Sequence, residues 1–321
     1  MMASTSSRRE FWGLAAAGMA TTGCNRVGQV DLAVKGGKSV VAVVKAASYS
    51  DDLVSRILEG IRECGLDVKG KKVLLKPNLD EFDRNTAINT DVAVVAAAWD
   101  AFRSLGAHVQ IGEGPGHRRD ALGIAEEAGY RSGLSQFESN FVDLNRDDVT
   151  RVEKFAHHKE IYLPNSALSA DLVVSLAKMK THHWAGATLS MKNFFGLVPG
   201  AVYGWPKNFL HMTQIPTSII ELNRIFRKTF AIVDGIVGME GNGPIQGTPK
   251  KAGILVMGSD NVAVDATCCR IMGINPMKVE YIVGAQHLGI ADESRIEQRG
   301  ETIASVQTNF ELIKEFAHLR V

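Results

Sequence analysis

From residue 40 to residue 257 the chain repeats one alternation: a short, uninterrupted apolar run, then a segment with apolar residues at helical spacing. Val40-Val41-Ala42-Val43-Val44 opens the series. A half-exposed strand would alternate polar and apolar positions, so a continuous run this short reads as a strand buried on both faces. Residues 51–64 follow, with Leu53, Ile57, Leu58 and Ile61 on one helical face and Gly65 as the stop. Lys72-Val73-Leu74-Leu75-Lys76 is a second strand, closed by Pro77, which has no N–H to give to a ladder. Residues 91–105 read as a helix ending at Gly106, His108-Val109-Gln110-Ile111 as a third strand, and residues 120–128 as a third helix. Further buried strands are expected at residues 171–176, 230–233 and 253–257, with helices over 262–271 and 277–288. Buried strands joined by helices require right-handed crossovers. The spacing therefore predicts an α/β fold with a mainly parallel sheet and helices on both faces, as a single large domain over residues 40–321.

Composition excludes several alternatives. The 36 Lys and Arg balance 35 Asp and Glu, and 45% of the residues are hydrophobic, which rules out general disorder and gives no support to a nucleic-acid binder acting through overall charge. Four cysteines in 321 residues are too few for a disulfide scaffold. The first 30 residues read as an export signal and leader, and residues 31–39 as a flexible linker. Ser7-Arg8-Arg9-Glu10-Phe11 and the uncharged run over residues 11–20 resemble a twin-arginine signal, too short for a membrane-spanning helix. Thr21-Thr22-Gly23-Cys24 is similar to a lipoprotein cleavage site, with Thr21 where leucine is usual, so Cys24 is either acylated or simply near the cut. The expected partners on this ground are the twin-arginine export machinery and a membrane reached only through a lipid anchor at Cys24. The expected location is periplasmic or otherwise extracytoplasmic.

Open parallel sheets bind ligands outside the carboxyl ends of their strands. Those ends are polar here. Lys76 and Asn78 follow the second strand, and Glu113-Gly114-Pro115-Gly116-His117 follows the third. Lys178-Met179-Lys180-Thr181-His182-His183 follows the next, with Ser190-Met191-Lys192-Asn193 close behind. Lys178 and Lys180 alternate, so an extended segment points both ammonium groups to one face, where they repel unless an anion lies between them. We therefore expect a small carboxylate or phosphate held by Lys76, Lys178, Lys180 and Lys192, with Asn78, Thr181 and Asn193 orienting it. His182 or His183 would be the acid/base group, opposed by Glu113 or Asp234. Gly241-Asn242-Gly243-Pro244 either brings backbone N–H groups of Gly241 and Gly243 to the anion or is only a tight turn. It matches neither a P-loop nor a dinucleotide fingerprint.

Asp234, Glu240 and Asp265, with His117, are candidate ligands for a divalent cation. Asp260 is placed to cap the helix that follows it. The cysteines lack any cluster-binding spacing, so no iron–sulfur cluster is expected from them, and Cys268-Cys269 reads as core.

The segments Lys76-Pro77-Asn78, Lys178-Met179-Lys180-Thr181-His182, Ser190-Met191-Lys192-Asn193-Phe194-Phe195-Gly196, residues 234–244 and residues 260–266 occur in an order that resembles the family called domain of unknown function 362. The resemblance covers roughly residues 40–290. It implies the α/β fold and the polar strand ends, and names no reaction. Some members carry a ferredoxin-like cluster segment whose cysteines this chain lacks. A weaker similarity, in the order of Gly116-His117-Arg118, His182 or His183, Lys192 and Pro199-Gly200, is to the histidines and cofactor lysine of nickel-pincer lactate racemases. The two functional expectations are an exported enzyme acting on a small anion and a non-catalytic periplasmic anion- or metal-binding protein.

Overall fold

The computed structural model describes residues 37–117 and 120–321. The export segment, Cys24 and Arg118 lie outside the described residues. The strands are β1 (Ser39–Lys45), β2 (Lys72–Pro77), β3 (His108–Glu113), β4 (Phe141–Asp143), β5 (Val149–Phe155), β6 (His158–Pro164), β7 (Leu172–His182), β8 (Gly186–Thr188), β9 (Thr229–Glu240), β10 (Thr248–Gly258) and β11 (Ile296–Gly300). Nine of them form one sheet in the order β11-β1-β10-β9-β7-β2-β3-β4, with β8 added to β7, while β5 and β6 pair separately. The pairs from β9 through β4 and the β1–β11 pair are parallel. β10 runs antiparallel to both its neighbours, so the sheet is mixed and mostly parallel.

Strand alternation sorts the apolar runs to two sides, as the two-residue period demands. Ala42, Val44, Val73, Leu75, Val174 and Leu176 face a core closed by the helices Leu53–Glu63 and Val92–Ser104. Val41, Val43, Ala231 and Val233 face the opposite core, which holds the helix Asn261–Ile271 and its buried Cys268 and Cys269. Each of these three helices, and Ala121–Glu127, starts on an aspartate whose side chain accepts backbone N–H bonds: Asp52, Asp91, Asp260 and Asp120 respectively. Asp260 also accepts from Ser39 Oγ and Ile290 N, so one cap ties the helix to β1 and to a distant loop.

Several elements differ from expectation. β7 does not stop at Leu176 but continues to His182, and β9 continues past Val233 to Glu240. The continuation buries one matched pair, Lys178 and Asp234, which are cross-strand partners. The stretch expected as a helix over residues 277–288 forms only a 3-10 turn, Pro276–Lys278, and a short helix, Glu280–Gly284. β11, at the sheet edge, is Ile-Glu-Gln-Arg-Gly, without the apolar run that marks a central strand.

Candidate functional site

A cleft of about 420 Å³ opens at the carboxyl ends of β2, β3 and β7, and its walls are completed by residues 192–196, 206–211 and 244–245. Lys76, Asn78, Glu113, His117, Lys180, His182, His183, Lys192 and Asn193, all anticipated from the strand ends, line it. Asp80, Thr188, Trp184 and Lys207 join them. Lys178, Thr181, Asp234, Glu240, Gly241, Gly243 and Asp265 do not.

Two of the four lysines expected to hold an anion are already neutralised. Lys76 Nζ donates to Glu113 Oε2 at 2.7 Å, to Pro77 O at 2.8 Å and to Asn193 Oδ1 at 3.1 Å, which uses all three of its N–H bonds. Glu113 also accepts from Leu79 N and Gly114 N. Burial pushes Lys76 down and Glu113 up, and each opposes the other's displacement by its charge. A Cβ on Gly196 would lie 2.0 Å from Glu113 Oε1, so only glycine lets the loop close over this pair. Asn193 spends its amide N–H groups on Lys76 O and Ser175 Oγ. Asn193 and Glu113 thus spend these hydrogen bonds on Lys76 and the loop.

Lys178 is likewise saturated, by Asp234 Oδ2 at 2.7 Å, Tyr49 Oη at 2.9 Å and Val237 O at 3.0 Å. Asp234 accepts further from Asp91 N and Ile236 N and is fully buried. It opposes no histidine. Lys178 and Lys180 alternate along β7, but the β7–β9 register shifts between these two residues, and their ammonium groups find different partners.

Among the described residues, three lysines of the cleft remain without a carboxylate. Lys180 Nζ donates to Asn78 Oδ1 at 2.7 Å and Ile88 O at 2.8 Å, both neutral acceptors. Lys207 Nζ donates to Gly114 O at 2.6 Å. Lys192 has no hydrogen-bond or ion-pair partner among the described residues and lies 4.6 Å above the Phe195 ring. Burial pushes Lys180 and Lys207 down to about 7 and Lys192 down to about 8, because a desolvated ammonium is unfavourable. Asp80 is the nearby counter-charge, but it already accepts from Gly116 N and His117 N and faces His117 Nδ1 at 3.2 Å. Burial would raise its carboxyl; the His117 contact and the Lys180 charge hold it below the usual carboxylate range. The same contact raises His117.

The two adjacent histidines are locked in opposite tautomers. His182 Nδ1 accepts from Trp184 N at 2.9 Å and Ala185 N at 3.2 Å, so it carries no proton, and the neutral ring presents Nε2–H. Burial first, then the Lys192 charge, keeps this ring neutral by pushing it well below the ordinary histidine value. His183 Nδ1 lies 2.7 Å from Gly243 O; a carbonyl only accepts, so the neutral His183 ring carries its proton on Nδ1 and has its lone pair on Nε2. One ring donates; the other can take a proton. Thr188 adds a buried hydroxyl without a hydrogen-bond partner among the described residues.

The remaining candidates lie elsewhere. Thr181 Oγ1 donates to Gly241 O, Gly241 has a φ of 77°, and a Cβ on Gly243 would meet Thr181 O at 2.1 Å. These glycines therefore shape the turn that carries the acceptor of His183. Asp265 accepts from Ser190 N and Oγ, Met191 N and Tyr281 Oη, and so anchors the loop before Lys192; burial pushes its carboxyl up to about 7. Glu240 pairs with Lys250 at 3.1 Å. Asp234, Glu240, Asp265 and His117 do not meet, and among the described residues no three His, Cys, Asp or Glu side chains come together to hold a metal ion. Asp80 was within reach of sequence reasoning, two residues beyond Asn78. Lys207 was not, since it follows no strand.

The profile of a family described as domain of unknown function (DUF362) matches residues 73–270. The thylakoid-associated protein sll1697 of Synechocystis sp. is 30% identical over 263 residues, which is 78% of this chain and 79% of that protein. Among solved structures, the lactate racemase apoprotein from Thermoanaerobacterium thermosaccharolyticum is similar with a TM-score of 0.46 at 14% identity, over 74% of this chain. The chain spans 57% of that protein's length.

Proposed function

This chain belongs to the DUF362 family, and we propose that it is an enzyme acting on a small anionic metabolite bound in the cleft at the carboxyl ends of β2, β3 and β7. The observation that carries the reading is the convergence of Lys180, Lys192 and Lys207 on one cleft with no carboxylate paired to any of them among the described residues. Structural lysines in this protein look different: Lys76 and Lys178 each have a buried carboxylate at 2.7 Å. An anion supplies the missing charge. His182 Nε2–H and the Thr188 hydroxyl serve as fixed donors to it, and His183 Nε2 serves as the base.

The opposed tautomers favour catalysis over a receptor, since anion capture alone has no use for a lone pair beside a cationic site. The test is incubation of the protein with small-molecule extract of its host, with depletion followed by mass spectrometry. Wild type is expected to consume an anionic metabolite. His183→Gln should still bind it but turn it over about 10²–10⁴-fold more slowly. Binding without depletion by wild type would make the protein a receptor instead.

Export remains our proposal for the leader. Arg8-Arg9 supports a site of action outside the cytoplasm. No helix among the described residues is long and apolar enough to cross a membrane. Arg8→Lys/Arg9→Lys is expected to shift the protein from the extracytoplasmic to the cytoplasmic fraction. An unchanged distribution would argue against the signal.

A further inference from the structure

The cleft holds more than an anionic group needs. A carboxylate or phosphate head engages the lysines, yet 420 Å³ is the size of site that encloses a whole drug-like ligand. The rest of its lining is ring-rich and apolar. Pro244 and Ile245, which follow the Gly243 carbonyl bonded to His183, line the cleft. Trp184 stands edge-on to His183 at 4.7 Å and to His211 at 5.5 Å, while remaining 63% exposed. Leu210, on the same short helix as His211, lines the cleft as well. Lys192 over Phe195 marks where the cationic wall meets the apolar one.

An exposed indole at the mouth of a cationic cleft offers a large apolar surface on which a planar ring can stack. We infer that the ligand of this site is an aromatic anion, a ring-bearing carboxylate or phosphate whose charged group meets Lys180, Lys192 and Lys207 and whose ring lies against Trp184, Ile245 and Leu210. The inference rests on the anion site proposed above and adds the substrate class. It also gives Trp184 a purpose: as the rim residue that covers the ring, it excludes water from the charged end and sharpens the contrast between a bare anion and one with an aromatic body.

Calorimetric titration of the purified protein with matched pairs of probes tests it: phenyl phosphate against methyl phosphate, and benzoate against acetate. The aryl member of at least one pair is expected to bind ten times more tightly or better, with a change in tryptophan fluorescence. Trp184→Ala, at an exposed position, should bring the ratio of aryl to small-probe affinity down toward one. Octanoate serves as the third arm: if it matches or exceeds benzoate, the body is a chain and the aromatic assignment is overturned. Equal affinity within each pair overturns the inference while leaving the anion site intact. Failure of all these probes to bind, small and large, removes the anion site itself.

Discussion

Glu113→Ala is expected to destabilise the protein by about 3–5 kcal/mol, the usual cost of removing one partner of a buried ion pair. Lys76 is 1% exposed and its ammonium has Glu113 as its carboxylate partner. The other two acceptors, Pro77 O and Asn193 Oδ1, are neutral and do not replace that charge. Removal also strands the backbone N–H groups of Leu79 and Gly114 that Glu113 receives. The loss should depend on pH in a defined direction. Without Glu113, the folded-state value of Lys76 falls further below its unfolded value, so the unfolded chain binds more protons and stability rises with pH. The deficit, read from urea midpoints at constant slope, should therefore shrink between pH 7 and pH 10. Lys76→Met/Glu113→Leu, which removes both charges together, should recover part of it. A deficit below about 1 kcal/mol at pH 7, on the scale of a surface pair, would show that the buried pair does not support the fold.

The same pair shows where sequence reasoning succeeds and where it cannot reach. Lys76, Lys178, Lys180 and Lys192 look alike in a sequence: each follows or ends an apolar run, at the edge where ligands bind. What separates them is a partner remote in the chain. Glu113 lies 37 residues from Lys76, and Asp234 lies 56 from Lys178. Periodicity reports which face a side chain takes, not which carboxylate stands opposite it. The central strands were legible because burial on both faces writes a continuous apolar run. β11 and the β5–β6 hairpin were not, because edge strands and half-exposed hairpins need no such run. The choice between His182 and His183 was open for a related reason. It is decided by backbone groups, the N–H of Trp184 and Ala185 on one side and the carbonyl of Gly243 on the other, which every residue possesses and no side-chain pattern reveals. Lys207 reaches the cleft from a loop, and its one bond is to the carbonyl of Gly114.

In the absence of ligand, stability is expected to rise as pH increases from 7 toward 10, and sulfate affinity to fall across the same interval. Sulfate is the probe because its own charge does not change there. The ordinary lysine value is 10.5, while burial holds Lys180 and Lys207 at about 7 and Lys192 at about 8 in the fold. Between those values the unfolded chain carries protons that the folded chain has lost, so raising the pH favours folding. Each lysine that is neutral when folded and charged when unfolded contributes a slope of about 1.4 kcal/mol per pH unit. Lys180 and Lys207, almost fully buried, should dominate. An anion reverses the preference by supplying the counter-charge that the protein withholds, so sulfate should bind at least ten times more tightly at pH 6.5 than at pH 9.5 and should take up protons as it binds. Lys180→Met and Lys207→Met should each weaken sulfate and flatten the rise in stability. The two effects are one phenomenon seen from opposite sides: the charge that costs stability in the empty cleft is the charge that holds the ligand. A stability curve that is flat or falls above pH 7, together with sulfate binding insensitive to pH, would mean that these lysines are ordinary solvated ammonium groups, and the anion site would lose its physical basis.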